Sequence, residues 1–163
     1  MISAIVAVDN DWGIGYNGNL LEYIPEDLRN FRQLTTGHTI IMGRKTWDSL
    51  PKKPLPNRVN IVISKDEPTI LDKNTLRLHL ESIMDYLKYT EDDVFIIGGE
   101  SIYKELFSFC DRIYVTKIYK NHKNIDTYFP NLDSMDSWGC TRSSYMFYHN
   151  NIPYQFCQYD KLI

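Results

Sequence analysis

The stretch Thr39-Ile40-Ile41-Met42-Gly43-Arg44-Lys45-Thr46-Trp47 (TIIMGRKTW) decides how the rest of the chain is read. Residues 39–42 form a short apolar strand that ends at Gly43, and a helix begins at Arg44. So short a run without polar alternation suits a strand buried on both faces, as in a parallel sheet covered by helices. The same unit recurs on either side. Upstream, residues 2–8 (ISAIVAV) read as a strand. Residues 25–35 read as a helix with Pro25 at its first position, where the missing N–H costs nothing. Downstream come a strand at 58–63, a weaker one at 76–80 and a helix at 81–88. A buried strand at 93–97 then runs into Gly98-Gly99, followed by a helix to about residue 109 and a strand at 112–118. Short apolar strands separated by helices imply βαβ units. Past Pro130 the pattern changes. Residues 138–145 and 154–160 are aromatic-rich runs joined by Asn150-Asn151, which read as a terminal antiparallel hairpin. The expected fold is a single α/β domain over residues 1–163: a central, mostly parallel twisted sheet flanked by helices, with a C-terminal antiparallel hairpin.

Composition narrows the function. With 163 residues, 43 % of them hydrophobic and 24 % charged, the chain suits one globular core. No apolar run approaches the ~20 residues that span a bilayer, and MISAIVAVDN lacks the charged start and cleavage site of a signal peptide. The expectation is a cytoplasmic protein without a membrane partner. Cys110, Cys140 and Cys157 are odd in number and widely spaced, and His38, His79, His122 and His149 show no ligand spacing, so no metal is expected. A net charge of −3 without any basic block argues against a nucleic-acid partner.

In open α/β sheets, ligands bind beyond the carboxyl ends of the strands. Three such ends carry anion-binding chemistry. Gly43-Arg44-Lys45-Thr46 offers free backbone N–H groups, a hydroxyl and two cations at a helix start. Ser64-Lys65 adds a hydroxyl and a cation, and the paired Gly98-Gly99 lets backbone approach a ligand closely. Taken singly, Arg44 and Lys65 read by default as solvated charges and Gly98-Gly99 as a plain turn; together they shift the reading toward a phosphorylated cofactor. Gly13-Ile14-Gly15 is not a Rossmann fingerprint, because the turn-like Tyr16-Asn17-Gly18 follows it instead of a helix.

The helix at 25–35 poses a separate question. Ile24, Leu28, Phe31 and Leu34 make one apolar stripe, and Asp27 falls within it. An acid in a first helical turn is favoured by the macrodipole, which is one reading. The other is a carboxylate held in a pocket, where burial raises its affinity for a proton to suit acid or base work near neutral pH.

The motifs Ala7-Val8-Asp9 with Trp12-Gly13-Ile14-Gly15, Pro25-Glu26-Asp27-Leu28-Arg29-Asn30-Phe31 and Ile41-Met42-Gly43-Arg44-Lys45-Thr46-Trp47 come in that order. They are followed by Pro54-Leu55-Pro56-Asn57-Arg58, Ile96-Ile97-Gly98-Gly99-Glu100-Ser101-Ile102-Tyr103 and Asp126-Thr127-Tyr128-Phe129-Pro130. In this order and spacing, over almost the whole chain, they closely resemble the dihydrofolate reductase family. The resemblance implies NADPH-dependent reduction of dihydrofolate to tetrahydrofolate. Hydride passes from the nicotinamide to pterin C6, while Asp27 pairs with the pterin and promotes protonation at N5, with the Thr116 hydroxyl bonded to its carboxylate. Leu28, Phe31 and Leu50 then match walls of the folate pocket, Ile5, Ala7 and Ile97 line the pterin and nicotinamide, and Arg58 matches the arginine that grips the glutamate α-carboxylate of folate. On the cofactor side Arg44, Thr46, Ser64 and Lys65 match phosphate contacts, and Gly98-Gly99 matches a cis peptide beside the pyrophosphate. Ala7, Ile14, Gly43, Lys45, Glu100, Ser101, Ile102 and Tyr103 complete the implied NADPH site. The implied partners are small molecules, with the protein acting as a monomer.

One departure stands out. Where the family commonly has Leu-Pro-Trp, this chain reads Leu20-Leu21-Glu22-Tyr23. An ungapped match puts Glu22 in the tryptophan's place, and a one-residue slip puts Tyr23 there. Glu22 near the pterin edge would share a partly dry site with Asp27 and raise its affinity for a proton. The alternative is that Glu22 turns outward into water. Two other classes stay open: a related pyrimidine reductase of riboflavin synthesis, which need not carry the Asp27-Phe31-Arg58 set, and a non-catalytic pterin- or nucleotide-binding protein.

Overall fold

The opening motif forms the strand at the middle of the sheet. In the computed structural model, which describes residues 1–162, Ile40, Ile41 and Met42 are each 0 % exposed. Full burial of consecutive residues means that both faces of the strand are covered. In chain order the strands are β1 (Ile2–Val8), β2 (Gly13–Tyr16), β3 (Asn19–Leu20), β4 (Thr39–Gly43), β5 (Val59–Ile63), β6 (Thr69–Asp72), β7 (Thr75–Leu78) and β8 (Val94–Gly98). β9 (Arg112–Ile118), β10 (Thr127–Tyr128), β11 (Trp138–Ser143), β12 (Phe147–His149) and β13 (Ile152–Lys161) follow. The helices are α1 (Pro25–Thr35), α2 (Arg44–Ser49), α3 (Leu80–Tyr89) and α4 (Glu100–Leu106).

The large sheet runs β11-β13-β9-β1-β8-β4-β5-β7-β6, with β12 also paired to β13. From β9 to β7 every pairing is parallel, and antiparallel strands close both ends. The single α/β domain with a mostly parallel sheet is thus the fold observed. Side-chain alternation along the strands divides the core. Ile41, Ile61 and Ile96 pack with Ile83 and Leu87 of α3 and with Ile102 and Leu106 of α4. Ile40, Met42, Val62 and Phe95 face the other way, toward Leu34 of α1, Trp47 of α2 and Leu50.

Four details differ from the sequence reading. The weak strand expected at 76–80 is β7, which forms a hairpin with an unforeseen edge strand, β6. The helix after Gly99 ends at Leu106 and tightens into a 3₁₀ turn over Phe107–Phe109. The C-terminal hairpin turns at Asn150-Asn151, with φ of 48° and 64° as a two-residue turn requires, but its first arm is broken in two. Ser144 causes the break: its Oγ accepts from the Phe156 backbone N–H at 2.9 Å, where a continuous strand would offer a carbonyl. Last, β2, β3 and β10 make a second small sheet, order β10-β2-β3. No helix among the described residues is long and apolar enough to cross a membrane.

Candidate active site

The parallel strands end together. Met42 pairs with Gly98, Gly43 with Ile63 and Ala7 with Thr116, so the residues that follow β4, β5 and β8 line one edge of the sheet. α1 lies across the sheet face near that edge and brings Asp27 to β9. Thr116 Oγ1 donates to Asp27 Oδ1 at 2.5 Å. Thr116 is buried and Asp27 half-buried. Burial lifts the Asp27 carboxyl above its ordinary range, and the Thr116 hydrogen bond opposes part of the rise. Asp27 is thus more than a first-turn acid.

The apolar stripe is only partly covered. Ile24 is 2 % exposed, Phe31 and Leu34 are half-buried, and Leu28 is 40 % exposed, leaving apolar surface open beside the carboxylate. Ala7, Ile97 and Leu50 are half-buried, and Ile5 is buried in β1. Arg58 is 6 % exposed. Its Nε donates to the Pro56 carbonyl at 2.9 Å and its Nη1 to Thr35 Oγ1 at 3.1 Å, with the guanidinium 6.0 Å from the Phe31 ring centre. Asn60 braces the loop: Oδ1 accepts from Leu55 N, and Nδ2 donates to the carbonyls of Leu55 and Arg58. Among the described residues no carboxylate pairs with Arg58. Burial, then the nearby Arg32 charge, weaken its hold on its proton. A dry guanidinium beside a second cation has the chemistry to hold an anion.

On the opposite side, α2 and α4 start next to each other. A Cβ on Gly43 would stand 2.9 Å from Ile102 Cγ1, and one on Gly99 3.5 Å from Thr46 Oγ1. Gly98 has φ of +125°, and the peptide between Gly98 and Gly99 is cis. Arg44 lies 3.9 Å from Asp66, whose backbone N–H donates to Ser64 Oγ and whose carbonyl meets His79 Nε2 at 2.9 Å. Arg44, Ser64 and Lys65 therefore gather at one corner; Asp66 and His79 share it, and the sequence reading passed over both. Lys45, Lys65 and Ser101 are exposed.

Four of the assigned residues also make contacts within the protein. Tyr103 is buried, and its hydroxyl donates to the Ile5 carbonyl at 2.7 Å. Ile102 is buried against Gly43. Glu100 accepts from the Tyr128 N–H and lies 3.8 Å from Lys104. Ile14 packs on the main core.

Glu22 is the clearest correction. It does not turn outward into water, and the basic groups it faces are Lys120 and His122. Its Oε1 is 2.6 Å from Lys120 Nζ and 2.9 Å from His122 Nε2, and its side chain is 18 % exposed. Tyr23, the other candidate for the tryptophan's place, is 67 % exposed.

A mostly parallel α/β sheet, one carboxylate lifted by burial beside open apolar surface, and glycine turns with cations at the strand ends are the features expected of an enzyme that works on a small ligand beside a phosphorylated one. The family model described as dihydrofolate reductase matches residues 1–161. The dihydrofolate reductase of Bacillus subtilis is 37 % identical over 99 % of this chain and 95 % of its own. That of Buchnera aphidicola from Schizaphis graminum is 39 % identical over 96 % and 95 %. A solved structure of dihydrofolate reductase from Enterococcus faecalis, complexed with NADP(H) and RAB-propyl, superposes with a TM-score of 0.83 at 30 % identity, covering 99 % of this chain and 96 % of that one. The chain belongs to the dihydrofolate reductase family and is an oxidoreductase of that family.

Proposed function

We propose that the protein reduces 7,8-dihydrofolate to 5,6,7,8-tetrahydrofolate with NADPH. The observation that carries this reading is the Asp27–Thr116 pair: one carboxylate, lifted by burial and held by one hydroxyl, on an otherwise apolar helix face. What supports the cofactor is the chemistry at the strand ends: Thr46, Arg44, Ser64 and Lys65 offer hydroxyls and cations beside the Gly43 and Gly98-Gly99 turns, where Ile102 and Tyr103 leave no room for a side chain. NADPH supplies the hydride that side chains cannot.

Each protein group then has a defined task. Asp27 pairs with the pterin's N3 and 2-amino group and favours the proton at N5, which makes C6 a better hydride acceptor. Thr116 fixes the orientation of that carboxylate. Arg58, without a carboxylate partner among the described residues, grips the α-carboxylate of the glutamate tail, and Phe31, Leu28 and Leu50 wall the ring that precedes it. Arg44, Ser64 and Lys65 hold the 2′-phosphate. Tyr103, Ile102 and Glu100 act from behind, fixing α4 to β1, α2 and β10.

Loss of nicotinamide absorbance on mixing the protein with NADPH and dihydrofolate tests the reading. Turnover with dihydrofolate, weak turnover with NADH and none with a pyrimidine substrate are expected. A protein that binds both ligands but consumes neither would be a binding module, and one that prefers the pyrimidine would be a reductase of the related class.

A further inference from the structure

The segment between β1 and α1 is held in an unusual way. Residues 16–20 are exposed, with Leu20 at 61 %, and a hollow of about 370 Å³ lies between Tyr16, Asn17, Leu20 and Leu21 on one side and His122 and Lys123 on the other. Trp12 and Ile14 anchor one part of the segment in the main core and the Asn17 N–H donates to Asp126, but apolar packing does little for residues 16–20. Polar contacts also tie the segment at its two ends, and they meet on one side chain. His122 Nδ1 is 2.9 Å from Asp9 Oδ2 and His122 Nε2 is 2.9 Å from Glu22 Oε1. The imidazole is 11 % exposed, the Asp9 side chain 0 % and the Glu22 side chain 18 %.

Counting donors fixes the charge state. Asp9 Oδ1 accepts from the N–H groups of Asp11 and Gly13, and Oδ2 accepts from the His122 N–H, so Asp9 is surrounded by donors and is a carboxylate. Glu22 Oε1 also faces the Lys120 ammonium at 2.6 Å. Burial alone would lift the Glu22 carboxyl, but the hydrogen bonds and charges of Lys120 and His122 outweigh it and hold the group below its ordinary range. Ionised carboxylates only accept, and a neutral imidazole has one donor and one acceptor nitrogen. Each ring nitrogen of His122 faces a carboxylate oxygen, an arrangement that two donor nitrogens satisfy and a neutral ring does not. Asp9 from just after β1, Glu22 from the approach to α1, and His122 and Lys120 from the loop after β9 thus form one cluster of two acids and two bases.

We propose that His122, as an imidazolium bridging Asp9 and Glu22, is a positioning residue that closes the neck of segment 10–21 and sets the start of α1 against β1 and β9. Those three elements carry Asp27, Ala7 and Thr116, so the clamp acts on the site through Glu22, five residues before Asp27, without touching substrate. Its role in turnover rests on the proposed reduction; the clamp itself does not. Removing the ring proton leaves one nitrogen as an acceptor facing a carboxylate, and that contact must open.

Two ligand-free measurements on the full chain test the clamp: ¹⁵N spectra of the His122 ring, and amide-exchange protection of residues 10–21 corrected for intrinsic rates, both followed from pH 5 to 9. At the acidic end both ring nitrogens should carry protons. Protection should fall at least five-fold in step with loss of the ring proton, and should be low and flat with pH in His122→Gln and Glu22→Gln. A ring with one proton throughout, or protection in wild type that ignores the ring's state, overturns the proposal. In turnover, Glu22→Gln should raise KM for dihydrofolate several-fold more than it lowers kcat. If wild type has no reductase activity, the proposed function fails while the exchange result still judges the clamp.

Discussion

Thr116 and Asp27 are 89 residues apart in the chain, yet the threonine hydroxyl sits 2.5 Å from the carboxylate. The pair sets two opposed influences on one proton: burial raises Asp27's affinity for it and the hydrogen bond lowers it. Thr116→Val keeps the shape and removes only the donor, so the carboxyl should rise further. The pH profile of single-turnover hydride transfer should shift toward higher pH. Loss of a hydrogen bond to a charged group also costs roughly 1.5–3 kcal/mol, which should appear as slower transfer above neutrality. An unshifted profile would separate Thr116 from the chemistry.

Asp27→Asn should slow hydride transfer about 10²–10⁴-fold near pH 7, the range for a positioned acid or base. Partial recovery is expected at low pH, where solvent protonates the substrate directly. Stability should move the opposite way. The folded protein holds the Asp27 proton more tightly than the unfolded chain does, so ionisation costs stability as pH rises from the ordinary carboxylate range through the raised one. Below that window the cost is absent; above it the cost is complete. The ligand-free Asn variant, which still accepts from Thr116, should therefore melt about 2–4 °C higher at pH 7.5 for each kcal/mol relieved. That gain should fade toward pH 4. Calorimetry at both pH values checks it, and equal melting temperatures at pH 7.5 would mean that the buried carboxylate is not under strain.

The parts of this protein that could be read from sequence are those where local pattern and tertiary role agree. β4 and β8 are apolar runs closed by glycine, and α1 opens at a proline, so their limits are nearly those foreseen. The small sheet was invisible because its strands have four, two and two residues and two of the four in β2 are glycine. The break in the C-terminal hairpin depends on whether one serine side chain bonds the neighbouring backbone, which periodicity does not encode. Asp27 was legible because it violates a helical stripe. The Glu22–His122 contact was not, since it joins residues 100 apart and neither breaks a local pattern.

Arg58 is buried without a carboxylate partner among the described residues, and this motivates a prediction for substrate binding. Arg58→Lys keeps the charge and loses the planar fork. KM for dihydrofolate should rise about ten- to a hundred-fold, as expected for one charge-assisted contact, with kcat little changed. The control is a reduced pterin without the glutamate tail, on which wild type and variant should be indistinguishable. A loss shared by both substrates would trace instead to the Thr35 and Pro56 contacts that Arg58 also makes.

Asp66 places a negative charge 3.9 Å from Arg44, in the corner assigned to the 2′-phosphate. Both groups are exposed, so their pairing is weak, about 0–1 kcal/mol. Asp66→Asn should leave Arg44 with Asp48, 3.7 Å away, as its remaining acidic neighbour and raise kcat/KM for NADPH about two-fold without changing that for NADH. Arg44→Ala should lower the NADPH value by roughly ten-fold or more. Parallel changes for both cofactors would remove the phosphate from this corner.

The last prediction concerns how α2 and α4 are held together. A Cβ at Gly43 would lie 2.9 Å from Ile102 Cγ1 and 3.8 Å from the Gly98 carbonyl, closer to the former than real Cβ contacts come. Ile102 is 8 % exposed and Cγ1 is near its root, so the side chain cannot swing clear; the two helix starts must separate. Overpacking of this kind costs about 1–3 kcal/mol. Because the cofactor is read as lying across both helix starts, Gly43→Ala should weaken NADPH binding by at least ten-fold while leaving dihydrofolate binding near wild type. Ile102→Ala removes the obstructing carbon at the cost of a cavity, roughly 2–5 kcal/mol. In the double variant the added methyl partly fills that cavity, so the two losses should be less than additive in both melting and NADPH titration. Additive losses would show that Gly43 is required for some reason other than its approach to Ile102. Undiminished NADPH binding in Gly43→Ala would show that the cofactor does not lie across these helix starts.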